Sequence, residues 1–297
     1  MFKNVAKLTV AISFVFAQWT SDSTQNTLIE SALQSQLSPF VQVASDGSTY
    51  IAWGDRRNTP NFDYRIKRLD FSGNVFESYT LSNQHSSSAA GNLEALESDT
   101  EHGVFVLWEQ ITNHRDELRL QHVNSTLDAN GTVFDNSGLV VSGFECDRKN
   151  GSLAVIDRDN AIVSFTTSSC AGSNATDYGN AYVQKINSGT KDWGGNGILA
   201  APRNTNGNNV LDTKAIPGPQ GGAFILFSQN TTSDNSLRIN FVDAQGNFTE
   251  GLSYPSGIGL GNLYNKNNWE MDAAFDGMVG VYVVWSCLLY TSDAADE

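Results

Sequence analysis

The chain has 297 residues and carries 18 Lys and Arg against 32 Asp and Glu, a formal net charge of −14. That balance repels phosphate backbones and anionic lipid, which argues against nucleic-acid binding and against docking on an acidic membrane. The length suffices to bury a sizeable core.

At the start, Lys3 and Lys7 precede an apolar run from Leu8 to Ala17. This reads as a secretory leader cleaved after Ala17, with a mature chain from Gln18. The run is too short for a membrane span, which needs about 20 apolar residues. The expected location is therefore secreted or at the cell surface. Residues 18–37, with Leu28-Ile29-Glu30-Ser31-Ala32-Leu33, form a lead-in that is either one short helix or irregular.

From residue 38 to 286 the sequence repeats itself. Five apolar runs close on an aromatic side chain, at Trp53, Trp108, Phe165, Phe227 and Trp285, with separations of 55, 57, 62 and 58 residues. A second marker follows each of the first four, at Asp70 to Gly73, Asp128 to Gly131, Asn187 to Gly189 and Asp243 to Gly246; its glycines are 58, 58 and 57 apart. Two markers with one period imply tandem structural units.

Each unit reads as four strands. In the first these are Phe40–Ala44, Thr49–Trp53, Tyr64–Leu69 and a strand near Tyr79–Leu81, with turns at Ser45-Asp46-Gly47-Ser48 and Asp70-Phe71-Ser72-Gly73. The second strand is apolar without alternation, so both its faces should be covered. Asp accepts from the turn backbone and Gly supplies positive φ. Four-stranded units of this length repeated around a ring are the blades of an all-β propeller. The closing aromatics should pack between blades. About four and a half blades are present, which predicts an incomplete, truncated propeller over 38–286.

Cys146 and Cys170 stand symmetrically about Arg158, in the turn Asp157-Arg158-Asp159-Asn160. A hairpin folded there places the sulfurs opposite each other, and an oxidising compartment would join them. Cys287 belongs to the final stretch Cys287–Glu297, which resembles a translated sequencing adapter and is set aside as an artefactual tail. Sequons begin at Asn124, Asn130, Asn150, Asn174, Asn230 and Asn247, about the number expected by chance in so Asn-, Ser- and Thr-rich a chain.

The first unit combines Ser45-Asp46-Gly47, Ala52-Trp53-Gly54-Asp55-Arg56-Arg57, Arg68-Leu69-Asp70 and Gly73-Asn74-Val75. It resembles the repeat of secreted bacterial β-propeller proteins, in which an Asp-Gly turn precedes an Ala-Trp-x-Asp-x-Arg strand and an Arg-Leu-Asp-x-x-Gly hairpin. The resemblance spans most of 38–286, is best in unit one and weakest in unit three, and rests on structural motifs. It implies a propeller and no particular ligand. A sialidase Asp-box does not fit, because Gly47 follows Asp46 directly and Trp53 comes too late.

Chemistry is sparse in the sequence. His85, His102, His114 and His122 stand at no ligand spacing, and Gly257-Ile258-Gly259-Leu260-Gly261 has Asn262 where a dinucleotide loop needs Gly, so it reads as an ordinary loop. No cofactor is implied. Calcium would suit the Asx-rich loops, yet Asp128 and Asn130 lack the glycine that a twelve-residue loop requires, Val133 standing there. Asp55, Arg56 and Arg57 are the densest charges; they suit either an ion pair between blades or a carboxylate or sugar ligand. Glu109 follows Trp108 as Asp55 follows Trp53, and two carboxylates on one rim are what glycoside hydrolysis requires. Tyr178, with Asn174 and Asp177, lies in the longest polar loop. The sequence favours a secreted or surface propeller that binds a glycan or protein through its loops. A carbohydrate-active hydrolase with rim carboxylates is the alternative, and a structural repeat of a longer surface protein is a third.

Overall fold

The computed structural model describes residues 28–33, 35–57, 63–82, 92–112, 115–125, 134, 137–143, 145–170, 177–203, 209–230, 235–249, 254–263 and 271–286. The expected leader and the tail from Cys287 lie outside these residues, as do His85, His114, Asn130, Asn174 and the Asp128 to Val133 loop.

The first blade pairs β1 (Gln36–Val43), β2 (Thr49–Asp55), β3 (Asp63–Leu69) and β4 (Val75–Ser82) in chain order. The second repeats this with β5 (Leu93–Ser98), β6 (Val104–Thr112), β7 (Arg115–Val123) and β8 (Leu139–Val140). The third contains β9 (Asp147–Val155), β10 (Asn160–Ser168), β11 (Ala181–Asn187) and the short β12 (Thr190–Lys191), with β13 (Ile198–Ala201) also on β11. The fourth contains β14 (Val210–Pro217), β15 (Ala223–Asn230), β16 (Asn235–Val242) and β17 (Ile258–Leu263); a fifth sheet has β18 (Met271–Phe275) and β19 (Val281–Trp285). All pairings are antiparallel. This is the all-β propeller of four-stranded sheets expected from the repeat.

The continuous apolar strands β6, β10 and β15 bury both faces, as their composition requires. On β6, Val104, Val106 and Trp108 join Tyr50, Ala52, Tyr64 and Ile66 in the core between blades one and two. The alternate residues Phe105 and Leu107 join Leu153, Ala161, Val163 and Phe165 between blades two and three. Phe227 closes the third core with Ile162, Val183 and Ile225. The fourth joins Leu226 and Leu237 to Met271, Phe275 and Val283. Side chains alternate across a strand, so one run supplies two interfaces. Trp108 and Phe165 are fully buried, and the ring of Trp108 lies 6.0 Å from that of Tyr64.

Trp53 turns to the outer face of blade one, where Leu28, Ile29 and Pro39 line a groove with it and Ile51. At the other end, Tyr282 and Val284 are exposed on the outer face of blade five.

The Asp-Gly turns among the described residues lie on one rim of the ring. Asp70 Oδ1 accepts the N–H groups of Ser72 and Asn74, Asp243 Oδ1 those of Gln245 and Asn247, and Asp276 Oδ1 those of Met278 and Gly280. Gly73 and Gly246 hold φ of 81° and 89° beside them. These carboxylates finish turns and thereby explain the marker.

Three expectations need correction. Residues 258–263 form the outer strand β17, where a loop was expected; the strand pairs with β16 through a register shift at Leu237/Arg238 that its glycines accommodate. The lead-in, irregular over the described residues 28–33 as one of its two expected forms, ends earlier than 37, because β1 begins already at Gln36. The second strands run on past their aromatics, to Asp55, Thr112, Ser168 and Asn230. Polar residues there keep the ladder while reaching the rim, so composition hid the true strand ends.

Candidate functional site

On the rim opposite the Asp-Gly turns, the innermost strands begin and the second strands end. Every complete blade breaks its regular pairing there. The register shifts between Leu37 and Phe40 on β1, between Leu93 and Ala95 on β5, and between Val210 and Asp212 on β14. On β9, Asn150 and Gly151 together oppose Phe165. These are β-bulges, which re-aim side chains and free backbone groups from the ladder.

The bulges gather acids. Glu94, in the β5 bulge, lines a cavity of about 630 Å³ along the centre of the ring, together with Glu97, Ser152, Lys214 and Asp272. Gly151 in the β9 bulge donates its N–H to Glu94 Oε2 at 3.0 Å. Glu109, 8 % exposed near the end of β6, accepts the N–H of the neighbouring Asn150. Asp212 follows the β14 bulge and lies close enough to act electrostatically on Glu94.

Burial pushes the Glu94 carboxyl up to about 8; the charges of Glu109 and Asp212 add to this, against the Gly151 N–H and Lys149. Burial likewise raises Glu109 to about 7, with Asp116 and Asp147 adding to the shift, and Lys149 and the Asn150 N–H opposing it. Asp212 is raised by burial to about 6, against the Thr213 N–H and Lys214. Lys149 Nζ sits 2.8 Å from Asp116 Oδ2. Three carboxyl groups that release their protons near neutrality, each at a different point, form an acid–base cluster.

Asp55 is fully buried, and Arg57 grips it through Nε at 3.0 Å and Nη2 at 2.7 Å. Trp53 Nε1 donates to Asp55 at 3.2 Å, and Arg57 also reaches Glu30 at 2.6 Å. Burial opposes ionisation of Asp55, but Arg57, its own N–H and the Trp53 indole hold the carboxyl low. Arg56 is exposed, its N–H bonded to Ser35 O at 3.1 Å. Tyr178 is 38 % exposed beside Asp177, and Tyr182 Oη donates to Asp177 at 3.0 Å.

The structure does not bring Asp55 and Glu109 together. Asp55 lies two residues after its aromatic, and Glu109 one residue after; this single step puts them on opposite sheet faces. Asp55 accordingly shares the outer face of blade one with Trp53, and Glu109 faces blade three. Glu94, whose carboxyl does feel the charge of Glu109, carries no sequence signal beyond an acid near the start of a unit. That juxtaposition depends on bulges that composition does not reveal.

Cys146 and Cys170 form the disulfide, with Cα atoms 4.0 Å apart. The hairpin pairs symmetrically about residue 158 from Ala161↔Val155 to Ser164↔Ser152, and the β9 bulge then shifts the register by one. No group of three or more His, Cys, Asp or Glu side chains is placed to hold a metal among the described residues. No helix there is long and apolar enough to cross a membrane.

No known protein family and no curated protein matches this sequence. Solved structures do. The α-L-arabinanase of Penicillium chrysogenum, complexed with arabinobiose, is similar at 14 % identity and a TM-score of 0.53, over 84 % of this chain and 75 % of that one. The GH93 α-L-arabinofuranosidase of Fusarium graminearum, also with arabinobiose, is similar at 8 % identity and a TM-score of 0.51, over 84 % of this chain and 74 % of that one. At such identities the likeness is one of fold, and the fold shared with both is the β-propeller.

Proposed function

We propose that this protein is a secreted carbohydrate-active hydrolase whose Glu94, Glu109 and Asp212 act at the bulged rim of the propeller. The supporting observation is a raised carboxyl group in the wall of the central cavity, Glu94, that feels the charges of two further raised carboxyl groups, Glu109 and Asp212. Glycoside hydrolysis needs one carboxyl to protonate the leaving oxygen and another, ionised, to activate water or attack the sugar. Glu94, raised furthest, holds its proton at neutral pH and suits the acid. Asp212, raised least, is ionised there and suits the base or nucleophile. Burial keeps the proton on Glu94, and the charges of Glu109 and Asp212 add to that effect. The solved propellers with this fold that carry arabinobiose agree with a glycan as ligand.

A second reading, binding without turnover, draws on the exposed ring of Tyr178, a surface on which a sugar face could stack. Of the other residues that the sequence singled out, Arg56 is the exposed one and would add a cation to that surface. A hydrolysis screen on polymeric and oligomeric glycans, run beside a glycan array, separates the two. Turnover that falls roughly 10²–10⁴-fold in Glu94→Gln and in Asp212→Asn supports the hydrolase. Array binding with no turnover of any glycan, unaltered by both substitutions but lost in Tyr178→Ala, would establish the binding reading instead.

A further inference from the structure

The β9 bulge differs from the other three in what it touches. Asn150 is one of the few non-glycine residues with positive φ, at 53°, a region that Asn tolerates and β-branched residues resist. The conformation places Asn150 and Gly151 together opposite Phe165. Two consecutive N–H groups thereby leave the ladder. One meets Glu109 and the other meets Glu94 at 3.0 Å. The Asn150 side chain turns the other way, donating from Nδ2 to Leu211 O at 2.6 Å in the β14 bulge that precedes Asp212. Its carbonyl accepts from Thr213 Oγ1 at 3.3 Å. From blade three, Asn150 thus contacts the segments that carry Glu109 on blade two and Asp212 on blade four, and the adjoining Gly151 holds Glu94 of blade two.

We propose that Asn150 is the positioning residue of the rim: held in the left-handed region, it aims two successive N–H groups at Glu109 and Glu94 while its amide fixes the Asp212 bulge. The chemical role of the three acids rests on the hydrolase reading; their placement by Asn150 does not. Both N–H groups favour the ionised carboxylates, and so they oppose the burial that raises Glu94 and Glu109. The charges facing Glu94 are Glu109, Asp212 and Lys149, and those facing Glu109 are Asp116, Asp147 and Lys149. Loss of the bulge should therefore raise both carboxyl groups further without removing any charged neighbour. The Gly151 site is tight, a Cβ there lying 2.8 Å from Leu107 Cδ2, so the bulge cannot simply move by one residue.

The test is a graded series, Asn150→Gly, Asn150→Asp, Asn150→Ala and Asn150→Val, ordered by tolerance of positive φ. Carboxyl titrations of Glu94 and Glu109 are read by NMR on Glu-labelled full-length protein, assigned with Glu94→Gln and Glu109→Gln. Expected is a near-native titration for Asn150→Gly and an upward displacement growing along Ala and Val to about one pH unit. A merely structural residue would lower Tm along the series while leaving both titrations in place, and that result would overturn the proposal. Should Asn150→Val fail to fold, Gly against Ala still decides the order. If the titrations move as expected but no glycan is ever turned over, the hydrolase reading fails and the positioning role stands. If wild type turns over glycan and Asn150→Ala keeps its titrations and pH–rate profile, the positioning role fails alone.

Discussion

Glu94 of blade two and Gly151 of blade three are joined across the blade boundary by an N–H···O bond of 3.0 Å, made by a backbone group that a regular strand would have spent in its own ladder. The bond turns a defect in sheet pairing into a partner for a buried acid. It also couples the stability of the rim to the protonation of that acid.

Stability should therefore fall on the alkaline side. The folded Glu94 and Glu109 titrate at about 8 and about 7, above the ordinary 4.5. A raised carboxyl contributes stability that is fully present below its unfolded value and is lost as pH rises through the folded one. Glu30 works the other way: held at about 2 against burial, by Arg57, its local N–H bonds and Lys67, it loses its contribution as pH falls through that value. Thermal melts from about pH 5 to about pH 9 should show Tm dropping by several degrees, with a smaller drop in Glu94→Gln. An unchanged slope in that variant would remove Glu94 as the source.

Trp108 and Tyr282 make a contrasting pair. Trp108 is fully buried between blades one and two, whereas Tyr282 is 71 % exposed. Trp108→Ala should cost about 3–5 kcal/mol by cavity formation, and Tyr282→Ser should stay within about 0.5 kcal/mol. Denaturant unfolding of both variants measures the difference. Equal effects would mean that the repeating aromatics do not hold the ring together.

Arg57→Ala leaves Asp55 buried with its principal cation gone, and such unpairing costs roughly 3–5 kcal/mol. Asp55→Asn is expected to destabilise as well, while leaving glycan turnover of the folded protein near wild type. Melts and initial rates on the same preparations check this. Loss of turnover at unchanged Tm would instead place Asp55 in a ligand site.

The Cys146–Cys170 bond closes a loop with a sequence separation of 24. Loop-closure entropy assigns it about 3 kcal/mol, or about 6–12 °C in Tm for a chain of this size. Cys146→Ser with Cys170→Ser, compared with the oxidised parent by calorimetry, should show that drop. A shift of less than a degree would mean that the hairpin holds its form without the link.

The sequence by itself determined the blades. A period near 58 residues, apolar strands such as Val104–Trp108 with no polar face, and Asp-Gly turns are all local signals, because strand burial and turn geometry are set by neighbouring residues. The disulfide was legible for the same reason, since a hairpin fixes its own pairing. Only the tertiary structure decided the candidate site. Asp55 and Glu109 look equivalent in the sequence, yet a one-residue difference in phase turns them to opposite faces of their sheets. Glu94, Asn150 and Asp212 look unremarked, yet bulges on three blades bring their segments to one rim. A bulge is settled by backbone pairing between strands and leaves no compositional trace, so the acids that converge through it could be found only once the blades were packed.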